Sequence, residues 1–290
     1  MMTEGLLNID KPAGMTSHDV VAQVRRVTRV RRVGHAGTLD PIATGVLLVG
    51  VGQATRLLEY LVGQPKTYEA RLRLGQATST YDTEGEVVAE RPYTHVTLAL
   101  LNDALPAFRG QIEQQPPIYS AIKKDGQPLY KLARQGIEVE VPPRQVTIYA
   151  LELLACDAPT VDLRVTCSAG TYIRSLAHDL GESLGCGAHL AGLRRTAIGD
   201  FGVETAVPLP DLTLDNLNDY LLSPDTAVSH FPRLTLSGKK AQKWQQGMRV
   251  TQQPDQPIDH ELVRTYDENG RFLGISTAQA GHWQPKKVFK

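Results

Sequence analysis

Asp40 is the residue around which chemistry could be built. It lies in the stretch Gly34–Gly52, GHAGTLDPIATGVLLVGVG, with glycines at 34 and 37 ahead of it and Pro41 behind it. Glycine accommodates the backbone angles of a tight loop, and proline stiffens the turn that follows. Upstream, Arg25, Arg26, Arg29, Arg31 and Arg32 carry five positive charges, with no acid between Asp19 and Asp40. A lone carboxylate beside a basic surface suits an anionic ligand approaching a nucleophile or a general base. An ordinary Asp-Pro turn has the same spacing, and on spacing alone it is the stronger reading.

The flanking elements decide how such an acid would be held. Val46–Val51 is short, β-branched and bounded by glycines, so it reads as a buried strand that fixes the loop at its lip. Gly5–Ile9 reads as a strand. Thr16 and Asp19 have the spacing of a capping box, opening a helix with Val20, Val21, Val24 and Val27 on one face and Arg25, Arg26 and Arg29 around the rest. Gln53–Leu61 reads as a short helix. Lys66–Leu74 alternates cleanly, which predicts a half-solvated antiparallel strand with Tyr68 on its apolar side.

Thr78–Glu86 is a polar loop and Thr97–Leu105 a helix. From Gln114 the chain reads QQPPIYSAIKKDGQPLYKLARQG, with Lys123, Lys124, Lys131 and Arg134 among tyrosines and prolines. Such a segment suits either a flap over nucleic acid or a solvated surface hairpin. Gln145–Leu154 and Val161–Cys167 read as strands, and Gly170–Leu184 as a helix with Tyr172 and Arg174 in its first turn. Ala188–Ile198 brings Leu193 together with Arg194 and Arg195. A helix near Leu212–Leu222 is expected within an acidic, proline-containing stretch, residues 201–232. From about Arg233 short polar strands surround a basic helix, Ser237–Gln246.

With 290 residues, 41% apolar and 21% charged, the chain fits one large domain over 1–228 and a small one over 229–290. The formal net charge is zero, but residues 229–290 hold ten Lys/Arg against five Asp/Glu, whereas residues 201–232 hold five acids and no Lys or Arg. That patterning matters more for partner choice than the sum. Cys156, Cys167 and Cys186 are odd in number and lack C-x-x-C spacing, as expected for reduced thiols in a cytoplasmic protein. No secretion signal or apolar run of membrane-spanning length is present in the sequence. Gly50-Val51-Gly52 approaches a dinucleotide fingerprint but lacks the third glycine and the alternating βα units. Phosphate-loop, H-E-x-x-H and G-x-S-x-G patterns are absent, and the eight histidines are scattered. Neither cofactor nor metal is implied.

Five blocks then carry a resemblance to the family of bacterial tRNA pseudouridine-55 synthases. They are Leu6–Val20, Gly34–Gly52, Lys66–Gly85, Pro116–Gly136 and Cys167–Phe201, in order and at family-like spacing to about residue 201. Ala36, where the family more often has threonine, is a mild departure. The resemblance implies an α+β fold: a mixed, mainly antiparallel sheet with flanking helices, an RNA-contacting flap at about 112–145, and a small β-rich, PUA-like C-terminal domain. It implies isomerisation of a uridine in the tRNA T-loop, in which the uracil–ribose bond breaks and is remade through C5, without cofactor or redox change.

By the same resemblance Asp40 is the nucleophile, acting at C6 of the base or at C1′, and Arg174 is its charge partner. Tyr68 matches the tyrosine that stacks on the target base and is a candidate to take the C5 proton. Tyr172 and Leu193 match residues lining the base pocket. His35 matches a histidine that helps hold the flipped-out T-loop arrangement. Asp82 matches an acid that positions the base or Arg174, and Lys11 a lysine that supports the active-site loop. Without the resemblance, Leu193 reads as a core leucine, Tyr68 as a core tyrosine and His35 as a loop residue. The implied partner is the tRNA T-arm, bound by a cytoplasmic monomer. Phosphate contacts are expected from Arg25–Arg32, Lys123–Arg134, Arg194–Arg195 and the basic C-terminal module. Two rivals stand beside this reading: an RNA-binding or RNA-folding protein without chemistry, and a related synthase acting on another RNA.

Overall fold

The computed structural model describes residues 4–118, 123–124, 127–128, 141–252 and 261–289. The first strand, β1 (Gly5–Lys11), leads into α1 (Ser17–Thr28). The capping box forms: the Asp19 N–H donates to the Thr16 hydroxyl oxygen, and the Thr16 N–H to the Asp19 carboxylate at 2.9 Å. Val20, Val21 and Val24 are buried against Leu7, Ile9, Leu47 and Val49. The other face keeps Arg25, Arg26, Arg29, Arg31 and Arg32 at least partly exposed on the helix and the turn after it.

Next come β2 (Val33–Ala36), the Asp40 loop and β3 (Thr44–Val51). After a 3-10 turn and the short α2 (Leu58–Val62) the chain enters β4 (Lys66–Leu74). A small pair, β5 (Gln76–Thr78) with β6 (Val87–Glu90), flanks the loop that carries Asp82. Then follow α3 (Leu98–Ala104), β7 (Gly110–Gln114), the two-residue pair β8 (Lys123–Lys124) and β9 (Gln127–Pro128), β10 (Arg144–Asp157), β11 (Thr160–Cys167), α4 (Ile173–Ser183) and β12 (Ala188–Ile198). Two short strands close this part, β13 (Phe201–Gly202) and β14 (Val207–Pro208). Most of the expected Lys123–Arg134 flap lies outside the described residues.

The main sheet runs β14-β1-β3-β12-β4-β11-β10-β7, with β2 on β3 and β13 on β12. Among the described pairings of this sheet, only β1–β14 and β3–β12 are parallel. The sheet is therefore mixed and mainly antiparallel with flanking helices, as the α+β reading requires. β4 lies between β11 and β12, and its alternation turns Tyr68 into the core. The short β3–β12 contact pairs Gly45 with Arg195, and a Cβ at position 45 would fall 2.1 Å from the Arg195 carbonyl oxygen. With φ near +100° as well, only glycine lets the Asp40 loop close onto β12 there.

Two expected helices differ. Gln53–Leu61 is a 3-10 turn through Leu57 before α2 begins. Leu212–Leu222 shrinks to α5 (Leu217–Tyr220) among 3-10 turns. Prolines 208, 210 and 224 flank that segment, and Leu209, Leu212, Leu217 and Leu221 are each buried against the β1–β3 core, so docking of single leucines overrides helix periodicity.

A second sheet follows, formed by β15 (Arg233–Leu236), β16 (Val250–Thr251), β17 (Leu262–Asp267), β18 (Phe272–Gln279) and β19 (His282–Val288), in the order β15-β17-β18-β19-β16. The basic helix α6 (Gly238–Gln245) covers it through Trp244, whose Nε1 donates to Ser276 at 2.9 Å. This sheet is welded to the first part. Ile275 and Phe289 share a core with Leu48, Leu57 and Ile198, Arg56 donates to the Val288 carbonyl at 2.6 Å, and Lys287 pairs with Glu59. Cutting the chain after about residue 230 would bare that apolar face. The contribution of the module to RNA binding is better read by changing surface charges in place.

Candidate active site

The Asp40 loop is pinned from three sides. The Leu39 N–H donates to Ser17 Oγ at 2.9 Å, and Ser17 donates back to the Leu39 carbonyl. The Gly14 N–H donates to the Pro41 carbonyl at 2.8 Å. Lys11, wholly buried, gives its ammonium to the carbonyls of Met15 (2.6 Å), Pro12 (2.9 Å) and Pro41 (3.4 Å). From β12, the buried Arg195 reaches the carbonyls of Val46 (2.7 Å), Gly37 (3.1 Å) and Thr38 (3.4 Å). The loop therefore has a single backbone path, and Asp40 emerges from it at a fixed point.

At that point Arg174, from the first turn of α4, closes on the carboxylate. Its Nε lies 3.0 Å from Asp40 Oδ2, and its Nη2 donates to Oδ1 at 3.4 Å, a side-on two-point pair. The third arm, Nη1, bonds Asp82 Oδ2 at 3.2 Å and the Thr80 carbonyl at 3.4 Å. Asp82 is almost wholly buried, and its other oxygen accepts from Thr80 Oγ1 and the Glu84 N–H. One guanidinium thus joins two carboxylates, one sealed and one at the surface: the Asp40 side chain keeps 36% of its area open, against 2% for Asp82.

Burial outweighs the neighbouring charges in this corner. Packing on its inner side raises the Asp40 pKa; Arg174 opposes the rise, Asp82 adds to it and Lys11 subtracts. The open third of the side chain faces outward. Burial lowers Lys11 to about 8, with Arg195 adding to the effect and Asp40 opposing it. Lys66, capping the carbonyls of Val62 and Gln64, is likewise lowered to about 8 by burial. Burial raises the Tyr68 hydroxyl, with the neighbouring Arg195 the main opposing influence.

The lowered Lys11 gives a pH prediction. Its charged form is lost as pH rises through about 8, which removes a donor and a positive charge from beneath Asp40. Burying the charge burdens the folded state below that pH and the burden lifts above it, so this group does not destabilise the fold in the same window. Single-turnover rates should therefore fall on the alkaline side of about pH 8 while the thermal midpoint does not fall through this group. In Lys11→Met the rate should be low and the limb gone; a limb that persists would assign it elsewhere.

Around the pair, Leu39, Ala43 and Tyr68 share one core with Leu193 packed against it, so the β4–β12 face and the loop meet. Tyr172, half-buried, is the N-cap of α4. The buried Gln114 grips its backbone at both ends: the Tyr172 N–H donates to Oε1 at 2.8 Å, and Nε2 donates to the Tyr172 carbonyl at 2.9 Å. His35 stands on β2, edge-on to His18 at 5.6 Å, with Nδ1 buried and unpaired among the described residues. Burial, with His18 and Arg195 adding to it, lowers its pKa, which favours a neutral ring.

Of the residues expected at a site, the structure joins Asp40, Arg174 and Asp82 directly and gathers Tyr68 and Leu193 on the adjoining face. Lys11 lies beneath the loop, wholly buried, with its ammonium on backbone carbonyls. Arg195 requires a correction: expected at phosphates, it is 1% exposed and holds the Asp40 loop. Adjacent residues of a strand face opposite sides, so its neighbour Arg194 points away and pairs with Asp10 at 2.7 Å. Gln114 and Ser17 were not expected here, and as polar residues in polar stretches they carry no distinguishing signal.

Among the described residues no cluster of three His, Cys, Asp or Glu could hold a metal ion, and no helix is long and apolar enough to cross a membrane.

Residues 25–173 match a model of the TruB family pseudouridylate synthase N-terminal domain, residues 174–229 the tRNA pseudouridylate synthase B C-terminal domain, and residues 232–289 the C-terminal part of pseudouridine synthase II TruB. A tRNA pseudouridine synthase B of Dehalococcoides mccartyi is 45% identical over 98% of this chain and 96% of its own. One from Cupriavidus metallidurans is 45% identical over 99% and 94%. Among solved structures, an H/ACA RNP bound to a substrate RNA containing 2′-deoxyuridine superposes with a TM-score of 0.75 at 26% identity, over 99% of this chain and 86% of that one. A Cbf5-Nop10-Gar1 complex gives 0.74 at 28% identity, over 99% and 85%. With a shared fold and near-complete coverage by relatives of this similarity, the chain belongs to the TruB family of pseudouridine synthases.

Proposed function

We propose that this chain isomerises a uridine of the tRNA T-loop to pseudouridine, position 55 in the family's usage, with Asp40 as nucleophile. Family membership makes it a tRNA pseudouridine synthase. The T-loop target follows from the family resemblance; the residue roles rest on the site. The observation that carries them is the Asp40–Arg174 pair: a carboxylate held at two points, packed on one side and open on the other. Either route, addition to C6 of uracil or capture of C1′ as uracil leaves, needs an ionised, oriented oxygen; the guanidinium favours the ionised form and fixes the orientation. No electron leaves the substrate, and the C5 proton is exchanged for one on N1.

A base inside a folded loop must swing out to reach Asp40. Tyr68, Tyr172 and Leu193 offer the apolar, flat surroundings such a base requires. A tyrosine hydroxyl raised above its ordinary value stays protonated at neutral pH, so Tyr68 meets the base with its ring face and an O–H. His35, neutral on its edge strand, belongs to the same reading as a support for the flipped-out loop. The T-arm as the bound element, action as a monomer, a cytoplasmic location and a division of the chain near residue 228 complete it.

The test is to incubate the protein with a T-arm stem-loop, nothing else added, and to map pseudouridine. A single modified position in the loop is expected; modification only of another RNA would refute the T-loop assignment.

Affinity is expected to come mainly from phosphates, through the Arg25–Arg32 stripe and α6. Replacing Lys239 and Lys243, both exposed on α6, by glutamine should lower the slope of log affinity against log salt by about one unit for each phosphate that a lysine neutralises. Turnover of bound RNA should not change. An unaltered slope would exclude these lysines from the interface.

A further inference from the structure

Tyr81 is a bulky residue at φ 64°, in the left-handed region that favours glycine. Residues are held there when the surroundings over-determine them, and such positions gather at functional sites. Here the surroundings are specific. The Leu190 N–H of β12 donates to the Tyr81 carbonyl at 2.9 Å, and the Tyr81 N–H donates to the Thr78 carbonyl at 3.2 Å. The Tyr81 ring lies flat on His178, with centroids 4.0 Å apart and planes within 12°.

His178 is four residues beyond Arg174 on α4, one turn along the same face. The next residue after Tyr81 is Asp82, which holds Arg174. Two consecutive loop residues therefore grip one helix at two successive turns, Asp82 on Arg174 and Tyr81 on His178. In the left-handed conformation at Tyr81 the ring lies on the helix while the following carboxylate meets the guanidinium.

We infer that the Tyr81–His178 stack is a positioning device for the reaction: it locks the loop so that Asp82 aims Arg174 at Asp40. Neither ring touches the reacting carboxylate. The inference rests on the reading of Asp40 and Arg174 as the reacting centre. It explains why the strained position carries an aromatic side chain: the ring supplies a contact that glycine could not make.

The test compares Tyr81→Gly, Tyr81→Phe, His178→Ala and the double variant Tyr81→Gly with Asp82→Asn. Tyr81→Gly relieves the backbone and removes the ring, so its thermal midpoint should not fall by more than that of His178→Ala. Its single-turnover rate on a T-arm stem-loop should nevertheless drop roughly ten- to hundredfold, as expected for a misaimed catalytic pair, with RNA affinity unchanged. Tyr81→Phe should restore the rate, since stacking needs only the ring. Once Asp82→Asn has cut the link, adding Tyr81→Gly should cost little more. A parental rate in Tyr81→Gly, failure of phenylalanine to rescue, or full additivity with Asp82→Asn would overturn the inference. If Asp40→Asn also turned over, the underlying reading would fail instead, so the two failures are distinguishable.

Discussion

Replacing Asp40 by asparagine is expected to abolish conversion of uridine in a T-arm stem-loop while the RNA still binds. Asparagine keeps the size and one acceptor oxygen but cannot attack carbon, and the phosphate contacts proposed for the arginine stripe and α6 are untouched. The stability of this variant should move the other way. Asp40 titrates above the ordinary carboxylate value because packing desolvates it, more than Arg174 compensates. An acid shifted upward contributes stability that is present below its unfolded pKa and lost as pH rises through its folded one. Wherever Asp40 is ionised its charge is therefore a burden on the folded state, and the asparagine variant should melt no lower than the parent. Loss of activity without loss of stability marks a group kept for chemistry. Residual multiple turnover by Asp40→Asn would reject the nucleophile assignment.

The second large effect is expected from Arg174→Lys. Arginine here makes contacts that an ammonium cannot reproduce together: Nε and Nη2 on the two oxygens of Asp40, and Nη1 on Asp82 and the Thr80 carbonyl. Lysine keeps one positive charge and loses the planar fork. The rate of a single turnover should fall about a hundredfold from misorientation alone. With weaker compensation the Asp40 pKa should climb further, so the acid limb of the rate should move to higher pH. RNA affinity should hold, because the guanidinium is buried and faces carboxylates. A near-parental rate would show that two-point geometry is unimportant.

How far the sequence foretells this arrangement depends on whether the signal is local. The Asp40 loop, the strand behind it and the alternation that turns Tyr68 inward are written in adjacent residues, as is the capping box of α1. The Arg174–Asp82 link is not: the partners are 92 residues apart, and an acid in the polar loop TSTYDTEG looks like any solvated turn residue. Arg195 misleads for a definite reason. Gly192 and two consecutive arginines mask the alternation of β12, which also bulges between Leu190 and Gly192 and between Arg195 and Ala197. Once the strand is known, the inward-facing Leu193 places Arg195, two residues on, on the same face. Leu212, Leu217 and Leu221 mislead in the opposite sense, since their spacing suits a helix while each serves as a separate anchor on the core.

An ionised Asp40 held by Arg174 is the central requirement, and the ionisation itself can be measured. Labelled aspartate carboxyl carbons, with Asp40 identified by its absence in Asp40→Asn, can be titrated by nuclear magnetic resonance in the parent and in Arg174→Lys. The expected result is an Asp40 that titrates above the ordinary carboxylate value, is ionised at neutral pH, and shifts further upward when Arg174 becomes lysine. An Asp40 still protonated at neutral pH, or one indifferent to Arg174, would contradict the nucleophile reading.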